Sequence, residues 1–169
     1  MTMTTAFIPG PRVAGGTPNP PKPYELAFYQ FLSQQDIAYA VEPDRLLHGP
    51  QKGDGYSGRG TTPDIRLGNS FDGYTVYLEL TEADVYDKPD QLAPAIRRRN
   101  RSHADSRRAY ISPAEYLERK ARRIRQTMDW HPDVVIVLLT MATITAIYAQ
   151  PELLPQLVNQ ACAARQPVG

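Results

Sequence analysis

Between Asp64 and Thr81 the side chains fall into two alternating sets around a turn, and no other stretch restricts the fold so sharply. Ile65, Leu67, Val76, Leu78 and Leu80 are all apolar, whereas Asp64, Arg66, Thr75, Tyr77, Glu79 and Thr81 are almost all polar. A period of two belongs to paired strands with one face on a core, because a helix would scatter both sets. Asn69-Ser70-Phe71-Asp72-Gly73 supplies the turn chemistry between them. If the turn centres between Phe71 and Asp72, residues whose numbers sum to 143 are opposed. Asp64 then faces Glu79 directly. If it centres on Asp72-Gly73, the two acids become diagonal but keep the same face.

The flanking sequence supplies the rest of an α/β sandwich around a mixed sheet. Residues 1–22, with five prolines and three glycines, read as an extended arm before a single domain over 23–169. Pro23 can open a helix over 23–35, with Tyr24, Phe28, Phe31 and Leu32 at helical spacing and Glu25 in the first turn. Ile37 to Leu47 is broken by Pro43 and suggests a short edge strand. The glycine-rich 48–62 segment lacks the strand-then-helix context of a nucleotide cradle and reads as a loop. Gln91 to Arg99 reads as a short helix after Pro89. Ser112-Pro113-Ala114-Glu115 is a capping box, opening a helix of about 113–129 with Leu117, Ala121, Ile124 and Met128 as its apolar stripe. Val134 to Thr140 predicts a buried strand, 143–149 suggests another, and Pro151 to Ala164 predicts a closing helix.

Charge is unevenly placed behind a formal net value of +1. Arg97 to Arg125 carries eleven Lys/Arg against three acids, while Asp36 to Asp90 carries eleven acids against five Lys/Arg. A basic surface beside an acidic pocket suits a protein that holds a polyanion against a metal, and it equally suits a solvated arginine-rich helix pair. The longest apolar run, Val134 to Leu139, is too short to span a bilayer, and Met1 to Gly10 lacks a secretory pattern. With Cys162 as the single cysteine there is no internal disulfide and no multi-cysteine zinc cage. A cytoplasmic protein is the expectation.

Two like charges opposed on adjacent strands repel unless a proton, an arginine or a cation compensates them. Mg²⁺ or Mn²⁺ would find two carboxylates here, and the Leu80 carbonyl offers a third oxygen. The alternative is that Arg66, on the same face, neutralises both acids.

Thr62-Pro63-Asp64, a hairpin, and then Tyr77-Leu78-Glu79-Leu80-Thr81 resemble the core signature of the PD-(D/E)xK, restriction-endonuclease-like nucleases. The likeness spans roughly 23–140 and implies a mixed central sheet flanked by helices. It implies metal-dependent hydrolysis of DNA phosphodiesters, with Asp64 and Glu79 as ligands of Mg²⁺ or Mn²⁺ and Glu25 as a further acid. In that family a homodimer or larger assembly is common, but no sequence feature displays an interface. Thr81 stands where the family has lysine, and a hydroxyl cannot stabilise phosphorane charge as an ammonium does. The lysine can migrate to the neighbouring helix in this superfamily. Lys120 is the only lysine of the 113–129 helix and lies about 60° from the centre of its apolar stripe. Lys88 is the second candidate. Arg97, Arg98, Arg99, Arg101, Arg107 and Arg108 are the expected phosphate contacts to DNA.

No nucleophilic triad is visible, and His48, His103 and His131 lack metal-ligand spacing. Trp130 and Tyr110 flank the basic helix and are expected to pack. Two readings remain. One is a metal-dependent DNA endonuclease using Asp64, Glu79, Lys120 and Glu25. The other is an inactive nuclease fold that binds nucleic acid or protein as a structural component.

Overall fold

The computed structural model describes residues 21–46, 62–68, 71–85 and 112–165. They form helix α1 (Pro23–Gln34), strands β1 (Tyr39–Val41), β2 (Ile65–Leu67) and β3 (Thr75–Thr81), and a 3-10 turn over Ala83–Val85. Helix α2 (Pro113–Trp130), strand β4 (Val134–Thr140) and helices α3 (Met141–Ala149) and α4 (Leu153–Arg165) follow. The sheet order is β1-β2-β3-β4. The first two pairings are antiparallel, and β3 lies parallel to β4. The chain is thus a mixed α/β domain, and no described helix is long and apolar enough to cross a membrane. The 91–99 helix and the glycine-rich loop of the sequence reading lie outside the described residues.

Strand alternation sorts the core into two layers. On one face Ile65, Leu67, Val76, Leu78, Leu80, Val135 and Leu139 pack with Phe28 and Leu32 of α1, Ile144 and Ile147 of α3, and Leu154 and Val158 of α4. The opposite face carries a smaller cluster: Leu46, Tyr77, Val134 and Ile136 meet Ile124 of α2, with Met128 and Leu138 beside it. Alternation in β2 and β3 predicts one apolar face on a core and one largely polar face. Helix α2 covers that polar face, so Tyr77 is buried among otherwise polar neighbours. Thr127 joins the expected α2 stripe as a fully buried residue, its hydroxyl donating to the Arg123 carbonyl.

The hairpin combines both sequence alternatives. Its tight turn is Asp72-Gly73, each with positive φ, flanked by the Phe71–Tyr74 bridge. The strands nevertheless pair Ile65 with Leu78 and Arg66 with Tyr77. The shift between the two registers falls between the Ile65–Leu78 pairing and the Phe71–Tyr74 bridge. Gly68 lies so close to Ala38 that an added Cβ would stand 2.6 Å from the alanine's own.

Segment 143–149 is helix, not strand. Its β-branched residues suggested extended chain, yet Ile144 and Ile147 are buried at a spacing of three. The decisive support is remote in sequence: Asp84 accepts the Met141 and Ala142 N–H groups, both at 2.9 Å. A carboxylate on the first N–H groups of a helix satisfies orphan donors and complements the positive end of its dipole.

Candidate active site

Continuing the β2–β3 register by one residue sets Asp64 opposite Glu79. Two hydrogen bonds lock the pair. The Asp64 N–H donates to Glu79 Oε2 at 3.3 Å, and the Leu80 N–H donates to Asp64 Oδ2 at 2.7 Å. Burial, and then the charge of Glu79 beside it, push the Asp64 carboxyl well above the usual carboxylate range. Lys120 and the Leu80 N–H pull in the other direction.

Helix α2 delivers the cation. Lys120 Nζ lies 2.9 Å from Glu79 Oε1 and 3.4 Å from the Leu80 carbonyl oxygen. Both side chains of the ion pair are largely withdrawn from water, at 19% and 13% exposure. Burial alone would lower the Lys120 pKa. Glu79, Tyr116 and Asp64 together outweigh it and hold the ammonium above its ordinary value. One turn earlier on α2, the Tyr116 ring faces the ammonium with its centroid 6.0 Å away.

Thr81 cannot substitute for this lysine. It is buried, and its hydroxyl accepts the Ala83 N–H at 3.3 Å where the chain leaves β3. Arg66 does not neutralise the acids either. Its guanidinium pairs with Asp44, whose Oδ2 also accepts the Tyr77 hydroxyl at 2.9 Å. Burial first, and then Asp44, push the Tyr77 phenol up to about 12, against a lowering by Arg66.

Glu25 lies near the pair, but its Oε2 accepts the Lys22 N–H at 3.1 Å and so closes a capping box on α1. Glu25 and Asp64 together act on Tyr24 and Tyr29, whose phenols burial raises first and these acids raise further. Glu42 is the residue that sequence reasoning missed. Its N–H donates to the Asp64 carbonyl at 2.8 Å, from a backbone with φ of 43°. Burial raises the Glu42 carboxyl, and Glu25 and Glu79 raise it further. Its one sequence signal was the acid immediately before Pro43, at the end of the edge strand.

Among the described residues no three His, Cys, Asp or Glu side chains stand close enough to hold a metal unaided. The donor set is therefore the Asp64–Glu79 pair with the Leu80 carbonyl, all hard oxygens suited to Mg²⁺, which keeps several waters of its own. The Leu80 oxygen has two lone pairs, so the long contact from Lys120 does not exhaust it. Two carboxyls face one ammonium, so ionisation of Asp64 beside Glu79 would bring more negative charge than Lys120 balances, with Glu25 and Glu42 adding to it. The arrangement fits a divalent cation. Arg97, Arg98, Arg99, Arg101, Arg107, Arg108 and Lys88 lie outside the described residues. No protein-family model, curated protein or solved structure matches the chain.

Proposed function

We propose that this chain is a metal-dependent nuclease of the restriction-endonuclease-like class, acting on DNA phosphodiesters. The observation that carries the reading is the placement of Lys120 against Glu79 and the Leu80 carbonyl. A lysine missing from its usual strand position is supplied by the adjacent helix, at the one place where two acids already face each other. Two carboxyls meet this single ammonium, and the second of them, Asp64, is held back from ionising by burial and by Glu79.

In this reading Asp64, Glu79 and the Leu80 carbonyl hold Mg²⁺ or Mn²⁺. The ion would supply Lewis acidity toward the scissile phosphate and lower the pKa of an attacking water. Glu79 orients Lys120, whose ammonium stabilises charge gathering on the phosphate oxygens. Glu42 and Glu25 deepen the negative field that draws a divalent cation in. Tyr116 holds the Lys120 ammonium toward the pair.

Calorimetric titration of Mn²⁺ into the native chain, Asp64→Ala and Glu79→Ala tests the site. Micromolar to sub-millimolar binding lost in both variants is the expected result. Folded native protein that binds no Mn²⁺ would sink the metal-nuclease reading.

A further inference from the structure

Trp130 was expected to pack, yet it is 55% exposed at the end of α2. It does not stand alone. Arg119, Arg123, Gln126 and Trp130 recur at intervals of four, three and four, and all are exposed. That spacing makes one continuous stripe, about a quarter turn around the helix from Lys120 at 100° per residue. Arg119 is paired with Glu115, whereas Arg123 forms no ion pair with a described residue. Arg122 and Arg125 add positive charge elsewhere on the exposed surface of α2.

The backbone at the aromatic end of the stripe is held: Arg165 of α4 donates to the Met128 carbonyl at 2.8 Å and to the His131 carbonyl at 2.9 Å, on either side of Trp130. The indole itself leaves a large apolar face open on a surface that is otherwise charged. Guanidinium groups in line with one exposed indole match a strand whose phosphates are continuous and whose bases are unpaired. Phosphates meet the arginines, and a base face meets the indole. A duplex keeps its base faces stacked inside and offers the indole nothing comparable.

We infer that this α2 stripe binds single-stranded nucleic acid, with Trp130 stacking on a base and Arg119 and Arg123 on phosphates. The inference rests on the nuclease reading for its choice of partner, and it narrows the substrate to one with an unpaired segment beside the Lys120 site. A protein partner or a second copy of the chain would bury the indole against apolar side chains, and the residues in line with it here are Gln126, Arg123 and Arg119 instead.

Trp130 is the only tryptophan of the chain, so its fluorescence reports on this surface alone. The full chain would be titrated in chelator with a short oligothymidylate and with a duplex of equal length. Saturable quenching by the single strand, with clearly weaker binding of the duplex, is expected. Trp130→Ala should lower single-strand affinity roughly tenfold, read by anisotropy of a labelled strand, with Trp130→Phe retaining most of it. Arg123→Ala should reduce the slope of log affinity against log salt by about 0.7. Unchanged fluorescence, equal duplex affinity, or a signal that follows protein concentration without nucleic acid would each overturn the inference. Because chelator removes the metal, a result here is independent of the Mn²⁺ titration. A chain that binds Mn²⁺ at Asp64 and Glu79 but shows no quenching keeps its nuclease reading and loses this one.

Discussion

Two clusters of acid and base share one face of the sheet, and they are built on opposite principles. Around Arg66, one arginine meets one aspartate, Asp44, and Tyr77 adds its hydroxyl. Charge is matched there, and both partners remain over a third exposed. A few residues further along the same strands, Asp64 and Glu79 share Lys120, and the Glu79–Lys120 pair is far drier. The first cluster completes itself with residues the fold already has. The second sets two carboxyls against one ammonium in a place where charge is expensive, which on the proposed reading is the condition a divalent cation would relieve.

The contrast can be broken most forcefully at Lys120. Lys120→Met leaves two buried acids without their cation and should destabilise the metal-free protein by about 3–5 kcal/mol, measured by urea unfolding. Mg²⁺ should recover part of that loss. A cost no larger than that of an exposed pair would mean the two clusters are alike.

Thr81→Lys asks whether the strand position could have served instead. The residue there is buried, so a lysine should cost more than about 2 kcal/mol. In combination with Lys120→Met it should restore neither stability nor hydrolysis. Recovery of cleavage by the double variant would show that the helix was not needed.

Asp64→Asn separates repulsion from packing through pH. The folded protein holds the Asp64 proton more tightly than the unfolded chain does, owing first to burial and then to Glu79. The Asp64 contribution to metal-free stability is then fully present below its unfolded-state value and is lost as pH rises through the raised folded value. One group can contribute a slope of at most about 1.4 kcal/mol per pH unit. In Asp64→Asn that portion of the profile should be flat, and thermal unfolding at neutral pH should shift upward. A variant profile identical to the native one would remove Asp64 from the account.

Arg66→Ala should have the smallest effect, about 0.2–1 kcal/mol, because its ion pair is open to solvent. A loss comparable with that of Lys120→Met would erase the distinction between the clusters.

Local periodicity made the central part of this site readable before any coordinates. Alternation fixed which side chains of 64–67 and 75–81 share a face, and one of the two turn placements put Asp64 across from Glu79. The angle of Lys120 on its helix placed it at the border of a buried stripe, which left solvent and the acids equally open to it until α2 is docked on the sheet. What could not be read depends on contacts distant in sequence. Glu42 approaches through a left-handed backbone held by the Asp64 carbonyl, a pairing no spacing announces. Asp44 captures Arg66 across two strands, so the arginine that seemed free to neutralise the acids is already engaged. Residues 143–149 suggested a strand, and the helix that forms there is capped by Asp84, 57 and 58 residues away from the two N–H groups it accepts. Trp130 was assigned to packing on residue type, and the helix end offered it no cover.

The origin of Lys120 on a helix, when its acids come from a hairpin, makes the candidate constellation a conditional object. A lysine two residues along the same strand would be in place whenever that strand was. Lys120 arrives only when α2 is docked, and α2 is held by a modest set of contacts centred on Pro113, Ile124 and Thr127. Sub-global opening of this helix would dissolve the site while the larger hydrophobic layer stayed folded, so its opening free energy can lie well below that of the whole domain. Whatever favours the docked helix, a cation between the acids or a strand along its outer face, would raise amide protection across α2 ahead of the rest of the chain. Catalytic competence would then follow the population of one docked helix.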